Sequence, residues 1–130
     1  MKVIVAGGRD FIGTPKKEKW LIKTLNELNA TELISGMARG ADAFGIMVAD
    51  FINIPVNEHP ALWDDIEGKP RNEIGINKYG KLYWRKAGFF RNEEMAKVAD
   101  ACILFPGGNG TKDMKKRAIA HNLKIIEYKQ

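Results

Sequence analysis

Four short segments of this chain hold the residues best suited to chemistry. Pro106-Gly107-Gly108-Asn109-Gly110-Thr111 follows the apolar run Ala101 to Phe105 and precedes a helical pattern that opens at Lys112. Glycines let a backbone turn tightly and approach a ligand, and a helix starting there presents unpaired N–H groups and a partial positive charge, so the segment predicts a phosphate cradle. A plain strand-to-helix turn has the same composition, and the companions decide between the two. Gly7-Gly8-Arg9-Asp10 and Gly36-Met37-Ala38-Arg39-Gly40-Ala41-Asp42 also follow apolar runs, while Arg91-Asn92-Glu93-Glu94-Met95 begins a helical stretch. Arg9, Arg39 and Arg91 are the cations that could grip a phosphate through two donors at once, with surface ion pairing as the alternative. Asp10, Asp42, Glu93 and Glu94 could serve as acids or bases, or cap turns and helices, or stay solvated. Trp63 could pack on a base or in the core.

The elements that must position these residues alternate in type. Val3-Ile4-Val5-Ala6 reads as a buried strand, and Trp20, Leu21, Thr24, Leu25 and Leu28 recur on one helical face after Pro15. Leu33-Ile34 makes a second strand. Phe44, Met47, Val48, Phe51 and Ile52 follow helical spacing and are expected in the core. Ile54-Pro55-Val56 begins a third strand, whose proline predicts a strand start or an edge position. Residues 64–86 have no clear period and exceed an ordinary connection, which predicts a functional lid or an insertion with short structure of its own. Helix is then expected over 91–100, strand over 101–105, helix over 113–121 and strand over 124–128, with Asn122 as a left-handed helix stop. Strands alternating with helices imply right-handed crossovers, so the predicted architecture is α/β, a three-layer Rossmann-like sandwich with a mostly parallel sheet of about five strands. The glycine-bearing segments then gather at the sheet's carboxyl edge, where open α/β folds bind ligands.

Composition narrows the function classes. The 130 residues suit a single domain, and 45% apolar with 28% charged residues describes an ordinary globular chain. No apolar run is long enough to span a membrane, and the first residues enter a strand without a signal-peptide pattern, so a cytoplasmic location is expected. Lys and Arg outnumber Asp and Glu by 21 to 16, which favours anionic partners, nucleotide or nucleic acid. Cys102, the single cysteine, lies in an apolar run and reads as a small buried hydrophobe. His59 and His121 lie far apart without neighbouring cysteine, so no metal site is expected.

Two common nucleotide fingerprints fail. Gly8 and Gly13 have the spacing of a P-loop's glycines, but Thr14 stands where its lysine should be. No strand is followed by G-x-G-x-x-G with an acidic residue about 20 positions later, so a nicotinamide dehydrogenase is not expected. Gly7 to Phe11, Gly36 to Asp42, Ala61-Leu62-Trp63, Ala87 to Met95 and Phe105 to Thr111 together resemble, in order, the pattern of the SLOG superfamily. That superfamily includes the Lonely Guy phosphoribohydrolases, DprA-type DNA-processing proteins and nucleotide-signal sensors. The resemblance is strongest to its small bacterial and phage YspA-related branch, and only residues 64–86 fall outside the pattern.

The resemblance implies roles residue by residue. In Lonely Guy enzymes the glycine loop holds the 5′-phosphate, an arginine of an Arg-x-x-x-Met helix works near the ribose, and a glutamate closes Pro-Gly-Gly-x-Gly-Thr-x-x-Glu. The first role falls on Gly107, Gly108, Gly110 and Thr111, and the second on Arg91. Met114 stands in the glutamate's place, so the base-releasing acid is missing there. Asp113 is adjacent, rotated by about 100° on a helix, and with Arg91 it forms the candidate catalytic pair. The candidate ligand-binding set is Gly7, Gly8, Arg9, Asp10, Gly36, Arg39, Gly40, Asp42, Trp63, Arg91, Asn92, Gly107, Gly108, Asn109, Gly110 and Thr111. The expected function is binding of a nucleotide or ADP-ribose-like ligand as sensor, carrier or sequestering protein, with no cofactor. A nucleoside 5′-monophosphate phosphoribohydrolase and a DprA-like binder of single-stranded DNA are the alternatives. A homodimer is implied by the resemblance alone.

Overall fold

The structure is a computed structural model that describes residues 1–129. Strands β1 (Lys2–Ala6), β2 (Glu32–Ser35), β3 (Val56–Glu58), β6 (Ala101–Leu104) and β7 (Lys124–Glu127) form one sheet in the order β3-β2-β1-β6-β7. Every pairing in it is parallel, and in the β1–β6 register Ala6 lies opposite Leu104. Helices α1 (Pro15–Glu27) and α2 (Ala41–Phe51) cover one face, and α3 (Ala87–Val98) and α4 (Asn109–Ala120) the other. This is the expected α/β sandwich of three layers and five strands. The chain runs outward from β1 through β2 to β3, then returns to place β6 on the other side of β1. The carboxyl ends of β1 and β6 therefore flank a switch point, the place where such sheets open a crevice.

Local chemistry explains the elements. Thr14 caps α1, its Oγ1 accepting from the Lys17 N–H at 3.2 Å, and Pro15 occupies the first turn, where its missing donor costs nothing. Leu21, Leu25 and Leu28 bury almost completely against the sheet, each burial worth about 1.5–3 kcal/mol. Three helices end alike: Asn29, Asn53 and Asn122 have φ of 51°, 60° and 58°. The next residue's N–H returns to the last turn each time, Ala30 to Leu25, Ile54 to Ala49 and Leu123 to Ala118, the double-bonded stop that asparagine tolerates in place of glycine. The expected stop at Asn122 is thus one of three. Cys102 is buried in β6, and burial pushes its thiol pKa up to about 12.

Two expectations are corrected. Phe44 and Val48 are buried, but Met47 and Phe51 are 51% and 72% exposed, and Ile52 is half-buried. Helix α2 faces the sheet through Ala41, Phe44, Gly45, Val48 and Ala49. Its small residues let it approach closely: a Cβ on Gly45 would stand 3.0 Å from Val5. Helix α4 begins at Asn109, earlier than its apolar pattern, and α3 at Ala87. The segment 64–86 carries structure of its own, a 3-10 turn at Arg71–Glu73 and an antiparallel hairpin of β4 (Ile74–Ile76) and β5 (Leu82–Trp84). Trp84 is its buried anchor, with its N–H on the Trp63 carbonyl at 2.7 Å and its indole on Glu73 at 3.1 Å.

Candidate functional site

Gly8 ties three loops together at the switch point. Its N–H donates to the Pro106 carbonyl at 3.0 Å, and its own carbonyl accepts from Ala41 at 3.1 Å and Phe11 at 3.3 Å. Gly40, at φ 79°, passes so close beneath Gly8 and Arg9 that a Cβ would strike their carbonyl oxygens. The loops after β1, β2 and β6 thus form one hydrogen-bonded rim rather than three free ends.

The N-terminus of α4 opens onto that rim. Gly108 is its cap residue and offers no side chain, and the N–H groups of Asn109, Gly110 and Thr111 have no acceptor among the described residues. Three unpaired donors and the helix's positive end make this an anion-binding edge. Buried Asn92 fixes α3 against it, with Nδ2 donating to the Gly110 carbonyl at 3.3 Å and to Asp113 Oδ2 at 3.0 Å. A Cβ added at Gly108 or Gly110 would meet no protein atom within 4 Å. The fold makes no demand for glycine there, unlike at Gly40.

Opposite lie a carboxylate and a guanidinium. Arg91, half-buried on α3, donates from Nε to Asn92 Oδ1 at 3.0 Å and from Nη1 to the Gly36 carbonyl. Two of its five N–H donors are thereby used, and the other three have no acceptor among the described residues. Asp42, 8% exposed on α2, accepts from the Ala38 N–H at 3.1 Å through Oδ2. Burial raises its pKa above the usual carboxylate value, against the opposing effects of the Ala38 hydrogen bond and the Arg91 and Arg9 charges. Burial likewise lowers the Arg91 pKa, partly offset by Asp42. Both groups are desolvated, and both face the same space.

That space is a cavity of about 400 Å³, floored by Ala6, Met95 and Met114 and walled by Gly7, Gly8, Ala38, Asp42, Arg91, Asn92 and Gly108 to Thr111. Arg9, Trp63, Arg85, Gly88 and Phe89 complete its lining. The Arg9 guanidinium lies 5.9 Å from the Trp63 ring centroid, near the outer limit of a cation–π contact. The volume falls within the range of small-ligand pockets. An apolar floor, a donor-rich helix end and three arginines suit a phosphate carrying an organic group.

Of the residues expected from sequence, Gly7, Gly8, Arg9, Asp42, Trp63, Arg91, Asn92, Gly108, Asn109, Gly110 and Thr111 line this cavity together. Gly36, Gly40 and Gly107 stand behind the wall: Gly36 bonds Arg91, Gly40 underlies Gly8, and Gly107 abuts Thr111 and Gly8. Asp10 and Arg39 are exposed outside it, 3.9 Å apart. Asp113 does not line the cavity, because its Oδ2 is held by Arg117 at 2.9 Å as well as by Asn92. Arg117 continues to Glu93, 3.3 Å away, and His121 meets Glu93 at 2.8 Å on the outer face. Sequence reasoning missed Arg85, Phe89 and the floor residues. Arg85 lies in the segment without a period, whereas Gly88 and Met95 belong to the Ala87 to Met95 motif but carry no polar group that would mark them.

No protein-family model matches the sequence, and no curated protein matches it. Two solved structures share the fold. DNA processing protein A (DprA) of Streptococcus pneumoniae superposes with a TM-score of 0.69 at 19% identity, over 99% of this chain and 50% of that one. DNA processing protein A of Helicobacter pylori, described for its single-stranded DNA binding mode, gives 0.64 at 19% identity over 100% of this chain and 66% of its own. The chain thus spans about half the length of the first and about two-thirds of the second. The likeness establishes a DprA-like, Rossmann-like fold. Among the described residues no helix is long and apolar enough to cross a membrane.

Proposed function

We propose that the cavity binds single-stranded DNA by seating one nucleotide, its phosphate on the N–H groups of Asn109, Gly110 and Thr111 and its sugar and base toward Trp63. The single observation that carries this is the unpaired donor edge of α4 facing Arg91 and Arg9 across a nucleotide-sized space. The fold shared with a DprA whose single-stranded DNA binding has been described supports a strand over a free nucleotide. Phosphate contacts of this kind read no sequence, and one aromatic face accepts any base.

A nucleotide or ADP-ribose-like small molecule is the second reading, and Asp42 favours it. Its second oxygen has no hydrogen-bond partner among the described residues, and Asp42 lines the cavity, where a sugar hydroxyl or a base amine can donate to it. Hydrolysis of the base–ribose bond would need an acid in the cavity. Among its lining residues Asp42 is the one carboxylate, and Met114 forms the floor at the position of the family's glutamate.

Titration with labelled oligothymidylate at rising salt tests the first reading: affinity falls with a log–log slope of about 0.7 per neutralised phosphate. Absence of binding even at low salt refutes it. Competition by AMP, NAD or ADP-ribose at lower concentration than the oligonucleotide would favour the second, and chromatographic release of base from AMP would add catalysis to it.

A further inference from the structure

The cavity's wall does not stop at its mouth. We infer that the β4–β5 hairpin is a second contact surface for single-stranded DNA, guiding the strand from the cleft along Arg85 and Tyr83 to Lys78 and Tyr79 at the tip. This inference rests on the single-strand reading of the cleft and extends it to a segment outside the family pattern.

Three observations carry it. First, the hairpin is joined to the cleft: Trp84 donates to Trp63, Arg85 donates to the Glu73 carbonyl at 2.7 Å and continues the ladder, and Arg85 and Trp63 both line the cavity. Alternation along the strand puts Tyr83 on the same face as Arg85. Its ring lies 6.2 Å from that of Trp63, in the room left by Gly75, where a Cβ would come within 2.8 Å of it. Second, the tip presents an aromatic ring on a fixed turn. Asn77 Oδ1 accepts from the Tyr79 and Lys81 N–H groups at 2.9 and 3.0 Å, and the Asn77 N–H donates to the Lys81 carbonyl at 2.9 Å. Tyr79 is nonetheless 82% exposed, with the Lys78 ammonium 5.1 Å from its ring centroid. Third, the charge is unbalanced. Lys69, Lys81 and Lys86 pair with Asp65, Asp64 and Glu73, whereas Arg71, Lys78 and Arg85 have no carboxylate within ion-pair distance among the described residues.

An exposed ring at Tyr79 and a half-buried one at Tyr83, set among unpaired cations, suit a sequence-tolerant single-strand surface, rings for the bases and cations for the phosphates. The five steps from Trp84 to Tyr79 reach at most roughly 16 Å at strand spacing, enough to carry such a surface beyond the single nucleotide that fills the cleft.

The test combines Lys78→Ala with Tyr79→Ala, two exposed positions whose side chains hold nothing in the fold. The probes are thymidine 5′-monophosphate and an oligothymidylate of about twelve nucleotides, a length within the usual single-strand site size. The variant is expected to bind the oligonucleotide about tenfold more weakly, to lower the salt slope by about 0.7, and to leave mononucleotide affinity and melting temperature unchanged. Unchanged oligonucleotide binding, with Arg91→Ala weakening both probes, overturns the hairpin surface and leaves the cleft standing. Equal losses on both probes also overturn it, since the tip would then act through the fold. Failure of Arg91→Ala to weaken either probe removes the cleft reading and this inference with it.

Discussion

Gly110→Ala separates the demands of the fold from those of the ligand. Gly110 is in the first turn of α4, lines the cavity, and a Cβ there would meet no protein atom within 4 Å. Alanine is the better helix former, so the free protein should gain about 0.5–1 kcal/mol. At about 2.1 cal/mol/K per residue, unfolding 130 residues has an entropy near 0.27 kcal/mol/K, so the melting temperature should rise by about 2–4 °C. The same methyl narrows the approach to the N–H groups of Gly110 and Thr111. Losing one hydrogen bond to a charged oxygen costs about 1.5–3 kcal/mol, or roughly a 10- to 150-fold rise in Kd. Thermal denaturation and oligonucleotide titration on one sample measure both effects. A more stable protein with unchanged affinity would refute the seating of phosphate on α4, and a less stable one would refute the claim that the fold has no need of glycine at 110.

Arg91→Ala should weaken binding by about 1.5–3 kcal/mol, and Arg91→Lys should recover part of it, because an ammonium is a point charge without the guanidinium fork; titration of both against the same probe checks this. Asp42→Asn should raise the melting temperature at neutral pH. Burial raises the Asp42 pKa in the folded state, so that state holds its proton more tightly; the resulting stability is present below the unfolded pKa and lost as pH rises through the folded one. Asparagine never charges, and the two proteins should converge in acid; parallel melting curves at all pH values would refute the argument. Glu93→Gln should flatten the acid limb of the stability profile. The His121 hydrogen bond, and then Arg117, hold the Glu93 pKa below its ordinary value, so its contribution is present above the unfolded pKa and lost as pH falls through the folded one. Melting temperatures across the acid range test it.

Periodicity carried the sheet and the helices because buried strands and amphipathic faces are properties of residues near each other in sequence. It misplaced Met47 and Phe51 because counting large apolar residues overlooks small ones. Ala41, Gly45 and Ala49 seat α2 on the sheet by allowing close approach, and Phe44 and Val48 fill the space beside them. The hairpin was illegible for another reason. Its strands are three residues long, too short for alternation to register, and its anchor is Trp84, whose partners Trp63 and Glu73 are 21 and 11 residues away.

The site was legible where backbone set it and not where side-chain direction did. Glycine segments after three strands had to converge on one edge once the sheet was parallel, and eleven of the sixteen expected ligand residues line the cavity. The acid's location depended on helix phase. With α4 starting at Asn109, Met114 takes the floor and Asp113 turns to Asn92 and Arg117, leaving Asp42 as the carboxylate of the cavity. That placement has an electrostatic consequence. A phosphate arriving beside Asp42 adds negative charge to a site whose desolvation already favours the protonated acid, so its pKa must rise further and binding must take up protons. Affinity for phosphate therefore increases as pH falls through the Asp42 pKa, and Asp42→Asn removes that dependence. An acid placed this way weakens the hold on phosphate at neutral pH, so the proposed seating of phosphate on α4, across the cavity from Asp42, predicts that Asp42 meets the sugar or base of the ligand instead.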